Sequence, residues 1–157
     1  MPPQKALYAC VLISFALAGC AAGGETNLPA GQSVDDSLYA LCVSEINRHR
    51  ATSGAPALTR WQSAESCAAG QARYDHERRR PHGAFGSCGE HGQNECPGWG
   101  GWSGDPAQVI RDCMQGMWDE GLGGGHHDVM AARGYHEVAC GFFVAENGQV
   151  TAVQNFR

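Results

Sequence analysis

Lysine is almost missing from this chain: Lys5 is the only one in 157 residues, and every other fixed positive charge is arginine. The one basic cluster, Arg78-Arg79-Arg80, follows Asp75 and Glu77 and reads as a solvated helix end. Formal net charge is −5, and it moves to −6 once Lys5 is removed. A nucleic-acid surface needs a basic face, so DNA and RNA binding are excluded as expectations. No G-x-S-x-G occurs, and Ser87 and Ser103 lie in a glycine-rich stretch with no recognisable base beside them, so the usual serine nucleophile is unsupported. The Gly121–Gly125 run lacks a following Lys-Ser or Lys-Thr, which removes a phosphate-cradling loop. No C-x-x-C pair is present either, and this argues against a thiolate zinc site. The apolar run Ala6–Ala18 is too short to span a bilayer comfortably.

That run is instead read as part of an export signal covering residues 1–19. It closes on Leu17-Ala18-Gly19-Cys20, which resembles the bacterial lipobox, whose cysteine is lipidated and becomes the mature N-terminus. The competing reading is an ordinary secretory signal cut near Ala22. Ala21 after the cysteine resembles the sorting pattern of outer-membrane lipoproteins. Residues 20–34 are small and polar without an apolar period, and are expected to form a tether reaching about 40–50 Å when taut. Residues 35–157 are then enough for one domain. The expected location is outside the cytoplasm, membrane-anchored through Cys20 or secreted.

With Cys10 leaving in the signal and Cys20 claimed by the lipobox, six cysteines remain: Cys42, Cys67, Cys88, Cys96, Cys113 and Cys140. An even set in a small exported domain predicts three disulfides. Sequence proximity suggests Cys88–Cys96 as a clasp on a glycine-rich loop; the other pairings stay open.

Leu38, Leu41, Cys42 and Ile46 share one stripe of a helix over residues 36–50, with Asp35 or Asp36 as its cap and Gly54-Ala55-Pro56 as its stop. A second helix is expected to start near residues 59–63 with Thr59 and Gln62 as a capping box. Its inward stripe would be Ala64, Cys67, Ala68, Gln71 and Ala72, and it would end before Pro81. Residues 82–104 read as a long ordered loop with at most a short strand. Asp105-Pro106 opens a third helix with the stripe Ile110, Cys113, Met114, Met117, Trp118, whose methionines are core residues at this spacing. Asn147-Gly148 predicts a two-residue turn that pairs Val144 with Thr151 and Phe142 with Val153. Both faces of that hairpin are mostly apolar, so helices should cover both. The fold class is therefore α/β: an αβα sandwich around a central antiparallel sheet, stabilised by disulfides.

One constellation is out of place in such a core. Gly125-His126-His127 follows Trp118-Asp119-Glu120 just before the hairpin, and puts imidazole and carboxylate at the edge of a buried sheet; His82 follows the second helix. Around these the chain runs Asn47, Arg48 and Arg50, then Gly54-Ala55-Pro56-Ala57-Leu58 and Trp61, then Gly92-Gln93-Asn94. It closes with Val138-Ala139-Cys140-Gly141 and Gln154-Asn155-Phe156. In this order and spacing over Leu38–Phe156, the residues resemble the CAP superfamily: the cysteine-rich secretory, antigen 5 and pathogenesis-related 1 proteins, or SCP domain.

The resemblance implies a groove lined by two His and two Glu that holds a divalent metal, often zinc. Carried over, these are His82, His126 and Glu120, while the second Glu falls on Gln93, which lowers the charge of the site. Glu90 and Glu95 are alternative acids, though neither occupies the matching position. His127 replaces the motif's usual aromatic, as an extra ligand or a rim residue. The expected function is an envelope-tethered binding module whose groove takes a lipid or other envelope-derived ligand, a partner protein or a metal. The alternatives are a metal-assisted hydrolase built on His82, Glu120 and His126, and a structural or adhesive surface protein with a vestigial groove.

Overall fold

A computed structural model describes residues 34–157; the expectations for the lipobox, Cys20 and the tether up to residue 33 lie outside the described residues. Helix α1 (Asp36–Thr52) starts where the Asp35 side chain accepts the Ser37 N–H at 2.8 Å. It buries Cys42, Val43 and Ile46. Helix α2 (Glu65–Arg78) begins later than the sequence suggests. Thr59 and Arg60 form a two-residue strand, β1, running parallel to the strand β3 described below, and a 3₁₀ turn (Gln62–Ala64) follows. The Thr59–Gln62 capping box does not form, because Thr59 gives its backbone N–H to His136 O instead. Helix α3 (Pro106–Trp118) starts as expected, with Asp105 accepting the Gln108 N–H at 2.9 Å and Pro106 at its first turn.

Strands β2 (Gly92–Trp99), β3 (Glu137–Val144) and β4 (Val150–Phe156) complete a four-stranded sheet in the order β1-β3-β4-β2, antiparallel apart from β1. β2 is a correction: the stretch read as loop contains an eight-residue strand against β4. Its alternation is broken by Pro97 and Gly98 at a bulge, and that hid its period. The hairpin register also differs by one residue. Val144 faces Val150 and Phe142 faces Ala152, because the loop has three residues, Glu146-Asn147-Gly148, with Gly148 at φ 79°. That is a type I turn closed by a left-handed glycine, in place of the tighter two-residue turn.

The shift decides which β4 residues face which layer. Val138, Cys140, Phe142, Val150, Ala152 and Phe156 join the main core beneath α1, α3 and the short helix α4 (Gly125–Ala131). Val153 and Phe143 meet Ala68 and Ala72 of α2 on the other face. Gly141 lets that helix approach: a Cβ there would run into the backbone of Ala68 and Ala69.

Three cystines staple these layers: Cys42–Cys140, Cys67–Cys88 and Cys96–Cys113. The Cys88–Cys96 clasp is not made. Cys96 points from β2 into the core beneath α3, while Cys88 lies in the turn next to α2, so the sheet comes between neighbours in sequence. Cys67 accordingly sits outside the buried stripe of α2, which is Glu65, Ala68, Gln71, Ala72 and Asp75.

Candidate functional site

The first imidazole is presented by the turn after α2. Arg79 closes that helix in the left-handed region, and His82 adopts φ 56° three residues later. A left-handed residue with a Cβ costs about 1–2 kcal/mol, and buried carboxyls offset this. Glu95 Oε2 accepts the His82 N–H at 2.7 Å, and Asp75 Oδ1 accepts that of Ala84 at 2.9 Å. Both acids are nearly inaccessible, Asp75 at 1% and Glu95 at 3% exposed. Burial pushes both carboxyls above their ordinary range, against the pull of the backbone N–H groups.

The second imidazole stands at the start of α4. Beyond α3, Glu120 packs against the backbone of Gly124, where a Cβ would collide with it. Its Oε1 accepts the His126 Nδ1–H at 2.5 Å and its Oε2 the His126 backbone N–H at 3.0 Å. The His126 bond holds the Glu120 carboxyl below the usual range. Asn94 Nδ2 donates to His126 O at 2.9 Å and so ties α4 to β2.

The two rings lie 6.1 Å apart and within 29° of parallel. Gln93 gives its amide hydrogens to Gln71 and Asn155, which leaves its oxygen 2.8 Å from His82 Nδ1. Each imidazole thus directs Nδ1 at an acceptor behind it, an arrangement that in the neutral ring places the proton on Nδ1 and the lone pair on Nε2. Among the described residues neither Nε2 has a hydrogen-bond partner. A cleft of ≈ 580 Å³ opens here, with Phe85, Val129 and Tyr135 as apolar wall and His91 at its edge. Gly92 makes room for Tyr135, whose ring a Cβ would strike.

The structure therefore brings His82, Gln93, Glu120 and His126 to one cleft. His127 departs from the rim. It is buried, its ring 4.3 Å from that of Trp118, which also stacks on His49 at 5.2 Å. Glu90 and Glu95 stand behind the site: neither lines the cleft, and Glu95 acts through the His82 backbone. Asp75 and Gln71 went unremarked as site residues in the sequence, where Asp75 carries no spacing signal.

As a seat for zinc, the cleft offers two imidazole Nε2 atoms, a donor type this ion favours. Each ring is oriented from behind by an acceptor, as ligating histidines usually are. Both Glu120 oxygens are committed to His126. Among the described residues no group of three or more His, Cys, Asp or Glu is arranged to hold a metal ion. A cation held by the two rings would keep open positions for solvent or ligand.

An αβα sandwich stapled by three cystines, with a two-histidine cleft where α2, β2 and α4 meet, defines a class of small extracytoplasmic domains. A family model described as the Cysteine-rich secretory protein family (CAP) matches residues 43–156, and the chain belongs to that family. Among solved structures it is similar to Na-ASP-1, at 15% identity and a TM-score of 0.62, over 82% of this chain and 40% of that one. It is also similar to a hookworm platelet inhibitor, at 11% identity and a TM-score of 0.56, over 82% of this chain and 73% of that one. These likenesses establish the fold. The chain covers less than half of Na-ASP-1. No curated protein matches it. The three cystines fit an oxidising compartment outside the cytoplasm. Among the described residues no helix is long and apolar enough to cross a membrane.

Proposed function

We propose that this domain is an exported binding module whose cleft captures a small amphipathic ligand at the free Nε2 edges of His82 and His126. The ligand's polar end meets those edges directly or through a divalent cation such as zinc. Phe85, Val129 and Tyr135 take its apolar part. One observation carries this reading: two near-parallel imidazoles from separate elements, each fixed at Nδ1, with Nε2 unbonded. When bound, a cation would supply Lewis acidity. The residues themselves orient the rings and wall the cleft.

A hydrolase needs a carboxylate free to handle water, and Glu120 has both oxygens on His126. Binding without turnover is the reading this geometry favours. Anchoring at Cys20 is part of the same proposal and would hold the cleft near an envelope surface.

Calorimetry with zinc and, separately, with lipid extracted from the exported protein tests the reading. Association should weaken at least about tenfold, roughly 1.4 kcal/mol, in His82→Ala and His126→Ala. Undiminished binding in both variants removes the proposal. Loss of no ligand at all, because none associates, leaves the structural or adhesive alternative. Turnover of a peptide library that Glu120→Gln abolishes would establish the enzyme instead. Mass spectrometry of the exported protein reports acylation at Cys20.

A further inference from the structure

Behind His82, four buried polar side chains form a knot: Glu90, Gln71 of α2, Gln93 of β2 and Asn155 of β4. An amide in such a knot can in principle sit either way round, with donor and acceptor exchanged. A carboxylate that is ionised cannot; it only accepts. Glu90 Oε1 takes the Gly86 N–H at 2.6 Å and Oε2 that of Cys88 at 2.9 Å, which fixes it as an acceptor. Burial opposes its ionisation, but the Gln71 amide and the backbone N–H groups outweigh burial and hold the carboxyl below its ordinary range.

From that fixed point the polarity propagates. Gln71 turns its NH₂ to Glu90, at 2.6 Å, its shortest contact, and also reaches Ser87 Oγ and the carbonyl Ala84 O, both at 3.0 Å; Ala84 O, likewise only an acceptor, supports the direction that Glu90 sets. Its oxygen then faces the other way and accepts from Asn155 Nδ2 at 2.6 Å and Gln93 Nε2 at 3.0 Å. Asn155 Oδ1 takes the second Gln93 hydrogen at 3.0 Å. With both hydrogens used, Gln93 can offer His82 only its oxygen, at 2.8 Å from Nδ1.

We propose that Glu90 is a positioning residue for the cleft: through Gln71 and Gln93 it holds His82 in the Nδ1–H tautomer, whose Nε2 lone pair is free for a ligand. Free histidine in water favours the opposite tautomer, so the protein must impose this one. If Gln93 were reversed, its NH₂ would face Nδ1 and the proton would move to Nε2. His82 would then show the cleft a donor where an electron pair is needed. This deepens the binding reading and rests on it for its consequence, though the tautomer itself does not depend on any ligand.

The same polarity accounts for Gln93 standing where the family resemblance expects Glu. An ionised acid at 93 would aim its lone pairs at Gln71 Oε1 and Asn155 Oδ1, both already set as acceptors. The knot accommodates one carboxylate, and Glu90 holds that place. In this chain the acid of the knot stands in the turn before β2, and its influence reaches His82 through neutral amides.

Imidazole ¹⁵N spectra of the exported domain, free of metal and at a pH where the rings are neutral, test the proposal. Wild type should give a pyrrole-type Nδ1 and a pyridine-type Nε2 for His82. The reverse pattern overturns the proposal. In Glu90→Gln the His82 shifts should move toward the Nε2–H form, while His126, held by Glu120, keeps its pattern and serves as the internal control. Should Glu90→Gln fail to fold, Gln71→Met breaks the relay while leaving Glu90 on its two backbone N–H groups, and the same shift is expected. An unchanged Nδ1–H pattern at His82 in a folded Gln71→Met protein overturns the relay. Titration with zinc alone separates the two readings. A wild type with the Nδ1–H pattern that responds to both variants but takes no zinc supports the relay and removes metal binding.

Discussion

Removing the Cys42–Cys140 cystine should cost more than removing either of the others. This link joins α1 to β3 across a sequence separation of 98 residues, against 21 for Cys67–Cys88 and 17 for Cys96–Cys113. Both shorter cystines lie inside the long loop, so with them intact its effective length falls to about 60 residues and its chain-entropy contribution to ~4.3 kcal/mol. Cys42 and Cys140 are also fully buried, at 0% exposure each. Truncating both to Ala leaves a void where sulfur packed and adds about 1–2 kcal/mol. The Cys42→Ala/Cys140→Ala pair should therefore lose about 5–6 kcal/mol. The Cys67–Cys88 cystine closes a shorter loop and includes an exposed cysteine, so Cys67→Ala/Cys88→Ala should lose only ~3.3 kcal/mol. Stabilities of this class run about 5–15 kcal/mol, so the first pair could unfold the domain outright. Urea denaturation under non-reducing conditions, with thermal melts alongside, measures the order. If the short exterior link proves to matter as much as the long interior one, the account from loop length and burial is refuted.

Other changes probe separate parts of the argument. Gly141→Ala pushes a methyl group into the α2 backbone at Ala68 and should destabilise by about 1–3 kcal/mol or more, read from the same denaturation curves; no loss would mean α2 packs less closely than described. Arg50 is fully buried and donates to Pro56 O, Met130 O and Ala132 O, so Arg50→Met leaves three carbonyls without that partner and should cost about 2–4 kcal/mol; a neutral result would show that relief of the buried charge offsets the lost bonds. Glu95→Gln bears on pH. Burial raises the Glu95 carboxyl above its unfolded value, so the native state keeps a proton that the unfolded chain has released. Wild-type stability should accordingly fall as pH rises through the window above the ordinary carboxylate range. Glu95→Gln cannot ionise, so it should match wild type in acid and exceed it on the alkaline side; a constant difference between the two across pH would reject the linkage.

The periodic parts of this molecule were legible in the residues themselves. Asp105-Pro106 and the apolar stripe through Met117 made α3 visible, because capping and 3.6-residue spacing are local physics. The even cysteine count in a chain with an export-type start pointed to three cystines, and the order of short motifs pointed to the family. The order of His82, Glu120 and His126 marked the cleft for the same reason. What depended on the far side of a sheet or on a distant neighbour was not legible. Cys88 and Cys96 are close along the chain yet separated by β-structure. Val144 meets Val150 because one extra loop residue lets Gly148 turn left-handed. His127 turns inward because Trp118 offers it a ring to pack on. Gln93 looks in sequence like a weakened acid; only packing shows that Glu90 sets the direction of its amide. Sequence fixes propensity and composition over a few residues, whereas the polarity of a buried network is decided by groups brought together from four elements at once.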